Sequence, residues 1–191
     1  TKELRVPGHR GVFAIGDVHG CLDQLLWMEE QIRSRLVGRA GMRAVVVYLG
    51  DYIDRGPDSA GVLAHLSEPP DDGIERRFLL GNHEEILLRA LRDPATCLAW
   101  RDVGGAETLM SYGIDVPRMM TDEDALEAAA LLGATLPAPQ RRFLARLERM
   151  IVIGDYLFVH AGLRPRVPLA RQNPSDLLWI RDEFLEHRDP V

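Results

Sequence analysis

Short apolar runs alternate with segments of helical periodicity over the first half of the chain. Residues 12–15, 44–49 and 78–80 form three such runs, and a glycine follows each one directly. Between the first two runs, apolar residues recur at near-helical spacing: Leu22, Leu25, Leu26, Ile32 and Leu36. Uncharged strands that alternate with amphipathic helices are typical of a buried parallel sheet. The pattern therefore predicts an α/β fold.

The second half of the chain is predicted to be mainly helical. Residues 104–112, 121–132 and 139–150 are predicted helices, and Thr121 is the expected N-cap of the second one, because acidic residues follow it. Two short apolar runs flank Gly154 and Asp155, which predicts a β-hairpin. We expect one domain over residues 1–191, in which 104–150 form a helical cap insertion.

Shorter helices complete the predicted first half. Residues 59–66 follow the second apolar run and end before two prolines, and residues 84–91 follow the third run. Each of these segments begins directly after a cluster of polar residues. The predicted strands therefore end in loops that carry polar side chains.

The composition of the chain limits the kinds of molecule that it is expected to bind. The formal net charge of −6 argues against non-specific nucleic-acid binding, which requires a basic surface. Cys21 and Cys97 are far apart and form no CxxC motif, which favours a reducing compartment. Apolar runs near 18 residues are absent from the sequence, so we expect a cytoplasmic protein without a membrane partner. The oligomeric state stays open.

Residues of metal-ligand type occur where the predicted strands end. Asp17 and His19 follow the first strand, Asp51 follows the second, Asn82 the third and His160 the hairpin. Taken singly, each residue is more commonly a cap, a turn residue or a core histidine. In open α/β sheets, however, the carboxyl ends of the strands form the ligand crevice. Four such ends together favour a metal site built from carboxylate, amide and imidazole groups.

Four motifs resemble the calcineurin-like metallophosphoesterases, and specifically their phosphoprotein phosphatase branch. They are GDVHG (16–20), GDYIDRG (50–56), GNHE (81–84) and HAG (160–162). WRDVGGAETLMSYG and LLWIRDEF are similar to segments of the bacterial members of that branch. The resemblance runs from about residue 12 to residue 184. It implies a mixed β-sandwich flanked by helices.

The resemblance also implies a set of metal ligands. Asp17 and His19 would bind a first metal ion, Asp51 would bridge both ions, and Asn82 and His160 would bind the second. The expected cofactors are two divalent ions, manganese first, with iron, zinc, nickel and cobalt as alternatives. Such a pair activates a bridging water for attack on phosphorus.

Four further residues receive catalytic roles from the resemblance. His83 would donate a proton to the leaving group and Asp54 would hold its imidazole. Arg55 would bind the substrate phosphate, and Arg181 would be a second phosphate clamp. For either arginine alone, a solvated surface charge is the ordinary alternative.

One departure from the family pattern concerns a further histidine. The family supplies it to the second metal ion from a late strand that ends in a GH pair, and no such pair follows Phe184. We expect a truncated chain, with a weakened second metal site as the alternative. His187 would be the replacement ligand if both sites bound metal equally.

The expected function is hydrolysis of phosphate monoesters by a serine/threonine phosphatase, acting on a phosphorylated protein or a small phosphoester. A dinucleoside polyphosphate hydrolase is the alternative within the enzymes, because that family also has a GDVHGC-like start. A degenerate phosphatase fold that serves as a binding module is the alternative from another class. Substituted ligands would mark such a module.

Overall fold

The computed structural model describes residues 11–37, 44–70, 72–116 and 121–188. Its strands form a three-stranded parallel sheet in the order β1-β2-β3 and a separate antiparallel hairpin, β4-β5. The strands are β1 (Gly11–Ile15), β2 (Ala44–Tyr48), β3 (Glu75–Phe78), β4 (Ile151–Ile153) and β5 (Tyr156–Phe158). The parallel sheet flanked by helices confirms the predicted α/β class.

Nine α-helices lie within the described ranges. They are α1 (Leu22–Leu36), α2 (Ser59–Ser67), α3 (Asn82–Ala90), α4 (Thr96–Trp100), α5 (Ala106–Ser111), α6 (Asp122–Thr135), α7 (Ala138–Leu144), α8 (Asp176–Trp179) and α9 (Asp182–Leu185). A π-helical turn (Arg101–Gly105) joins α4 to α5. Thr121 is the N-cap of α6, as predicted, and it exchanges hydrogen bonds with Asp124 in a capping box.

The predicted third strand was placed too late. The prediction chose the apolar run 78–80, whereas β3 covers Glu75–Phe78 and Leu79 makes an isolated bridge to Glu148. Within the described residues β3 pairs only with β2, so it is an edge strand, where charged side chains are tolerated. Arg77 of this strand forms a bidentate pair with Glu148.

Two predicted helices differ from the structure. The segment 104–112 is not one helix, because Gly104 has φ 114° and the regular helix starts only at Ala106. The segment 139–150 is helical only to Leu144, and Glu148 leaves the helix to bond with Phe78 and Leu80 of the β3 region. The helix α7 therefore ends before the residues that form hydrogen bonds with the β3 region.

Two apolar clusters hold the elements together. Five buried residues join the sheet to the hairpin: Val45, Val47, Leu79, Ile151 and Ile153. On the other face of the sheet, the larger cluster includes residues of α6 and α7 together with Val46 and Tyr48. The function of 104–150 as a cap stays a prediction. Among the described residues, no helix has both the length and the apolarity that crossing a bilayer requires.

Candidate metal centre

The loops after β1, β2 and β3 meet at one edge of the sheet with unusual backbone geometry. Four non-glycine residues of these loops have φ between 45° and 73°: His19, Asp51, Asp54 and Arg55. The glycines of these motifs permit close approach, since a Cβ on Gly56 would lie 1.9 Å from the His19 carbonyl oxygen. Left-handed backbone costs energy in non-glycine residues and clusters at functional sites. The strain here falls on predicted site residues.

The buried carboxylate of Asp51 lies among three imidazoles. Its Oδ2 is 3.7 Å from His19 Nε2 and 3.9 Å from His83 Nε2, and its Oδ1 is 3.5 Å from His160 Nε2. Asp17 is more exposed and lies 4.0 Å from His19 Nε2. These separations are too long for hydrogen bonds but suit two ligands of one ion, each about 2.0–2.2 Å from it. The donor set therefore fits divalent metal.

The histidine tautomers support the same assignment. His19 Nδ1 is 2.8 Å from the Ile53 carbonyl and His160 Nδ1 is 2.7 Å from the Leu49 carbonyl, so both Nδ1 atoms donate. Each Nε2 then carries a lone pair. That of His19 lies 3.7 Å from Asp51 Oδ2 and accepts from a terminal nitrogen of Arg55 at 3.0 Å. His160 Nε2 is 2.9 Å from Asn82 Oδ1, and a cation bound by both acceptors would satisfy them.

The ligand-type atoms fall into two groups that share Asp51. One contains His19, Asp51 and His83, and the other contains Asp17, Asp51 and His160; within each group the atoms are all within 4.8 Å of one another. Asp51 belongs to both groups, and its role as the bridging ligand stays a prediction. Asp17 is grouped with His160, but its carboxylate is also 4.0 Å from His19 Nε2. The predicted pairing of Asp17 with His19, and the role of His83 as proton donor and not as ligand, therefore stay predictions.

Glu84 is a site residue to which the sequence analysis gave no role. It is fully buried, and its carboxylate accepts backbone N–H groups of Asp51, Tyr52 and Gly81 at 2.8–3.0 Å. Burial, together with the charge of Asp51, raises the pKa of Glu84 to about 8, although the N–H donors act in the opposite direction. Glu84 thus ties the loop after β2 to the start of α3. Its place in GNHE was the only sequence signal.

His83 and Asp54 form a buried pair. His83 Nδ1 is 2.6 Å from Asp54 Oδ2, and Nε2 is 3.2 Å from a terminal nitrogen of Arg55. Burial alone would lower the pKa of His83, but the hydrogen bond to Asp54 and the charges of Asp54 and Asp51 outweigh it, so the pKa is raised. Trp100 and Thr108 also bind the Asp54 carboxylate, and the sequence analysis did not assign them.

A cavity of about 310 Å³ opens at this edge of the sheet. Its lining residues are Asp17, Asp51, Arg55, Asn82, His83, His160, Ala161 and Arg181. His19 and Asp54 contact lining residues directly. The structure therefore brings all nine predicted site residues together, while their individual roles stay predictions. His187, the predicted replacement ligand, is not among the lining residues.

Comparisons with known proteins agree with this geometry. A family model described as calcineurin-like phosphoesterase matches residues 11–191. Serine/threonine-protein phosphatase 1 of Salmonella typhimurium is 34% identical over an alignment of 192 positions, which covers 100% of this chain and 77% of that protein. A symmetrical bis(5'-nucleosyl)-tetraphosphatase of Paracidovorax citrulli is 32% identical over 94% of this chain and 50% of its own length.

Two further matches cover less than half of the matched protein. A symmetrical bis(5'-nucleosyl)-tetraphosphatase of Nitrosospira multiformis is 28% identical over 81% of this chain and 44% of its own length. This chain thus spans about half the length of these tetraphosphatases. The crystal structure of a mutant cold-active protein tyrosine phosphatase superposes with a TM-score of 0.51 at 22% identity, over 80% of this chain and 42% of that one. That likeness shows a shared fold.

Proposed function

Because the chain belongs to the calcineurin-like phosphoesterases, we propose that it hydrolyses phosphate monoesters, with phosphoserine and phosphothreonine side chains as its substrate class. The observation that carries this proposal is the contact between His83 and Arg55 at the cavity wall. A proton donor and a phosphate-binding group lie 3.2 Å apart, beside a cluster that fits divalent metal. This is the set of groups that phosphoryl transfer to water requires.

Different residues of the protein bind the phosphate and protonate the leaving group. The guanidinium groups of Arg55 and Arg181 bind the phosphoryl oxygens at the cavity wall. Asp54 holds the Nδ1–H of His83, and Nε2 faces the cavity, where it accepts from Arg55. When Arg55 turns to the phosphate, Nε2 is free to carry a proton, which it gives to the ester oxygen as the P–O bond breaks. An alkoxide is a poor leaving group, so this proton is needed in the transition state. Bound divalent cations supply Lewis-acid polarisation of the phosphoryl group and a water nucleophile at neutral pH.

We propose manganese as the principal cation. The ligand-type groups of the cluster combine carboxylates and imidazoles with the amide of Asn82. Magnesium prefers an all-oxygen shell, whereas imidazole suits the transition metals. Zinc, iron, nickel and cobalt fit the same set.

Hydrolysis of dinucleoside tetraphosphates is the second candidate function. Two symmetrical tetraphosphatases match 81% and 94% of this chain. The phosphatase of Salmonella typhimurium supports the first candidate more strongly, because the match extends over a larger share of that protein, 77% against 44% and 50%. The two candidates need the same cluster and differ in the group attached to the phosphate.

A substrate panel tests the proposal. The manganese-loaded protein would be assayed with phosphoserine and phosphothreonine peptides, p-nitrophenyl phosphate and diadenosine tetraphosphate. We expect kcat/KM for a phosphopeptide to exceed that for the tetraphosphate by at least about 10-fold, which corresponds to about 1.4 kcal/mol in transition-state binding. The reverse order would support the second candidate. Metal binding without turnover of any ester would support a binding module.

A further inference from the structure

The segment from Trp100 to Thr108 contacts the residues behind the proton donor. The carboxylate of Asp54 is fully buried and receives three donors. Its Oδ2 accepts from His83 Nδ1 at 2.6 Å and from Trp100 Nε1 at 2.8 Å, and its Oδ1 accepts from Thr108 Oγ1 at 2.6 Å. Trp100 and Thr108 are themselves fully buried. A charge in such a place needs every one of its hydrogen bonds.

The hydroxyl of Thr108 has one hydrogen, and its neighbours show where it points. Thr108 Oγ1 accepts the backbone N–H of Asp54 at 2.9 Å and lies 3.0 Å from Ser59 Oγ. The shortest of its contacts, and the only one with a charged acceptor, is the one to Asp54 Oδ1. The hydrogen therefore belongs in that bond. Thr108 thus binds the carboxylate of Asp54 and shares the backbone N–H of Asp54 with Ser59 Oγ, which lies 3.0 Å from that nitrogen.

The turn between these two residues also contacts the phosphate-binding arginine. The backbone N–H of Arg55 donates to the Gly104 carbonyl at 3.1 Å. Gly104 has φ 114°, and a Cβ there would lie 2.7 Å from Arg55 Cγ. A single segment, absent from the set of predicted site residues, therefore supports both Asp54 and Arg55.

We propose that Trp100 and Thr108 are positioning residues for the proton donor His83, a role that rests on the proposed function. Their two hydrogen bonds fix the plane of the Asp54 carboxylate. Oδ2 then stays aimed at His83 Nδ1, and Nε2 stays aimed at the leaving oxygen. Without either bond the carboxylate turns, the imidazole follows it, and proton transfer slows, whereas the metal cluster and Arg55 still bind substrate.

Kinetics with two leaving groups test the proposal. In Trp100→Phe and Thr108→Val we expect kcat for an alkyl phosphate to fall about 10–100-fold, the range seen when partners behind a ligand or base are removed. KM should change less than about 3-fold, because ground-state binding is retained. The loss with p-nitrophenyl phosphate should be several-fold smaller, since that leaving group needs little protonation. An equal loss with both substrates would overturn the positioning role.

Matched variants separate positioning from folding. Thr108→Ser keeps the hydroxyl and should retain kcat within about 3-fold of the wild type. Trp27→Phe changes a tryptophan that is 61% exposed on α1 and should leave both substrates unaffected. If Trp100→Phe fails to fold, the pair Thr108→Val and Thr108→Ser still decides the question. A serine variant as slow as the valine variant would contradict the proposal.

A nitrogen-15 spectrum of the indole groups tests the hydrogen bond without any turnover. The Trp100 signal, identified by its loss in Trp100→Phe, should exchange slowly with water and should shift in Asp54→Asn, while the Trp27 signal should not shift. If the Trp100 signal does not shift in Asp54→Asn, the inference is overturned, whatever the protein hydrolyses. A responsive signal in a wild-type protein that cleaves no phosphoester would instead contradict the proposed function, and with it the donor that these residues position.

Discussion

The buried carboxylate of Asp51 is the residue around which the candidate site is arranged. It is 4% exposed and lies within 4 Å of three imidazole nitrogens. A buried charge is costly unless opposite charge compensates it. The backbone N–H of His83 supplies one hydrogen bond at 3.2 Å. Divalent cations would supply the remaining compensation for its negative charge.

Replacement of the proton donor gives the first prediction. His83→Asn should lower kcat for alkyl phosphates by about 10²–10⁴-fold, the usual effect of losing a general acid. The loss should be smaller for aryl phosphates. The metal content should stay near that of the wild type, because the predicted metal ligand is the neighbouring Asn82 and not His83. Steady-state kinetics with both substrate types and elemental analysis check this. Equal losses for aryl and alkyl esters would show that His83 is not the acid.

At the scale of elements, the π-helical turn contacts Arg55, whose backbone N–H donates to the Gly104 carbonyl at 3.1 Å. Gly104→Ala would force a side chain into φ 114° and against Arg55. We expect a loss of about 1–2 kcal/mol in unfolding free energy from the backbone strain, and a KM for phosphoester raised about 10-fold because Arg55 is displaced.

Gly113 provides the matched control for that variant. It has φ 75°, and a Cβ there would meet nothing within 4 Å. Gly113→Ala should therefore cost a similar amount of stability and leave KM unchanged. Denaturant unfolding and steady-state kinetics of both variants make the comparison. A KM that rises equally in both would show that strain, and not contact with Arg55, is responsible.

The start of β3 gives a prediction about pH. The fork of Arg76 binds both carboxylate oxygens of Asp72 at 2.7 and 2.8 Å, and this bond holds the pKa of Asp72 at about 2, below its ordinary 3.8. A lowered pKa stabilises the fold above the ordinary value, and that contribution is lost as the pH falls through about 2. Asp72→Asn should thus cost about 1 kcal/mol at pH 7, after allowance for solvent screening.

Denaturant unfolding at several pH values checks this expectation. The difference between wild type and Asp72→Asn should be constant from neutral pH down to about 4 and should shrink below it. Asp155→Asn, in the exposed turn of the hairpin, is the control and should change stability little at any pH. A difference that persists unchanged at pH 3 would show that it does not come from the charge of Asp72.

At the scale of the whole molecule, the sheet and the hairpin place four loops around one cavity. Parallel strands necessarily end at the same edge, so the positions of Asp17, Asp51 and Asn82 could be predicted from apolar runs alone. The position of His160 was harder to predict, because this residue follows the hairpin. It reaches the cluster only because the hairpin packs against the sheet. The motif resemblance supplied that residue.

The rest of the architecture depends on contacts that local sequence does not encode. β3 was misplaced because its charges are stabilised by Glu148, more than 70 residues away. Trp100 and Thr108 were missed because their partner Asp54 is 46 and 54 residues distant. Glu84 was missed because its role is to accept backbone N–H groups, which leaves no side-chain pattern. In each case the signal is a long-range hydrogen bond.

Metal titration of the chelated protein tests the central claim most directly. Hydrolysis of p-nitrophenyl phosphate would be followed while manganese is added to wild type and to Asp51→Asn. We predict no turnover before metal is added, full recovery at about two bound ions per chain, and a requirement for about 100-fold more manganese in the variant, since it removes the ligand that both groups share. Full turnover by a protein in which elemental analysis detects no metal would contradict the account.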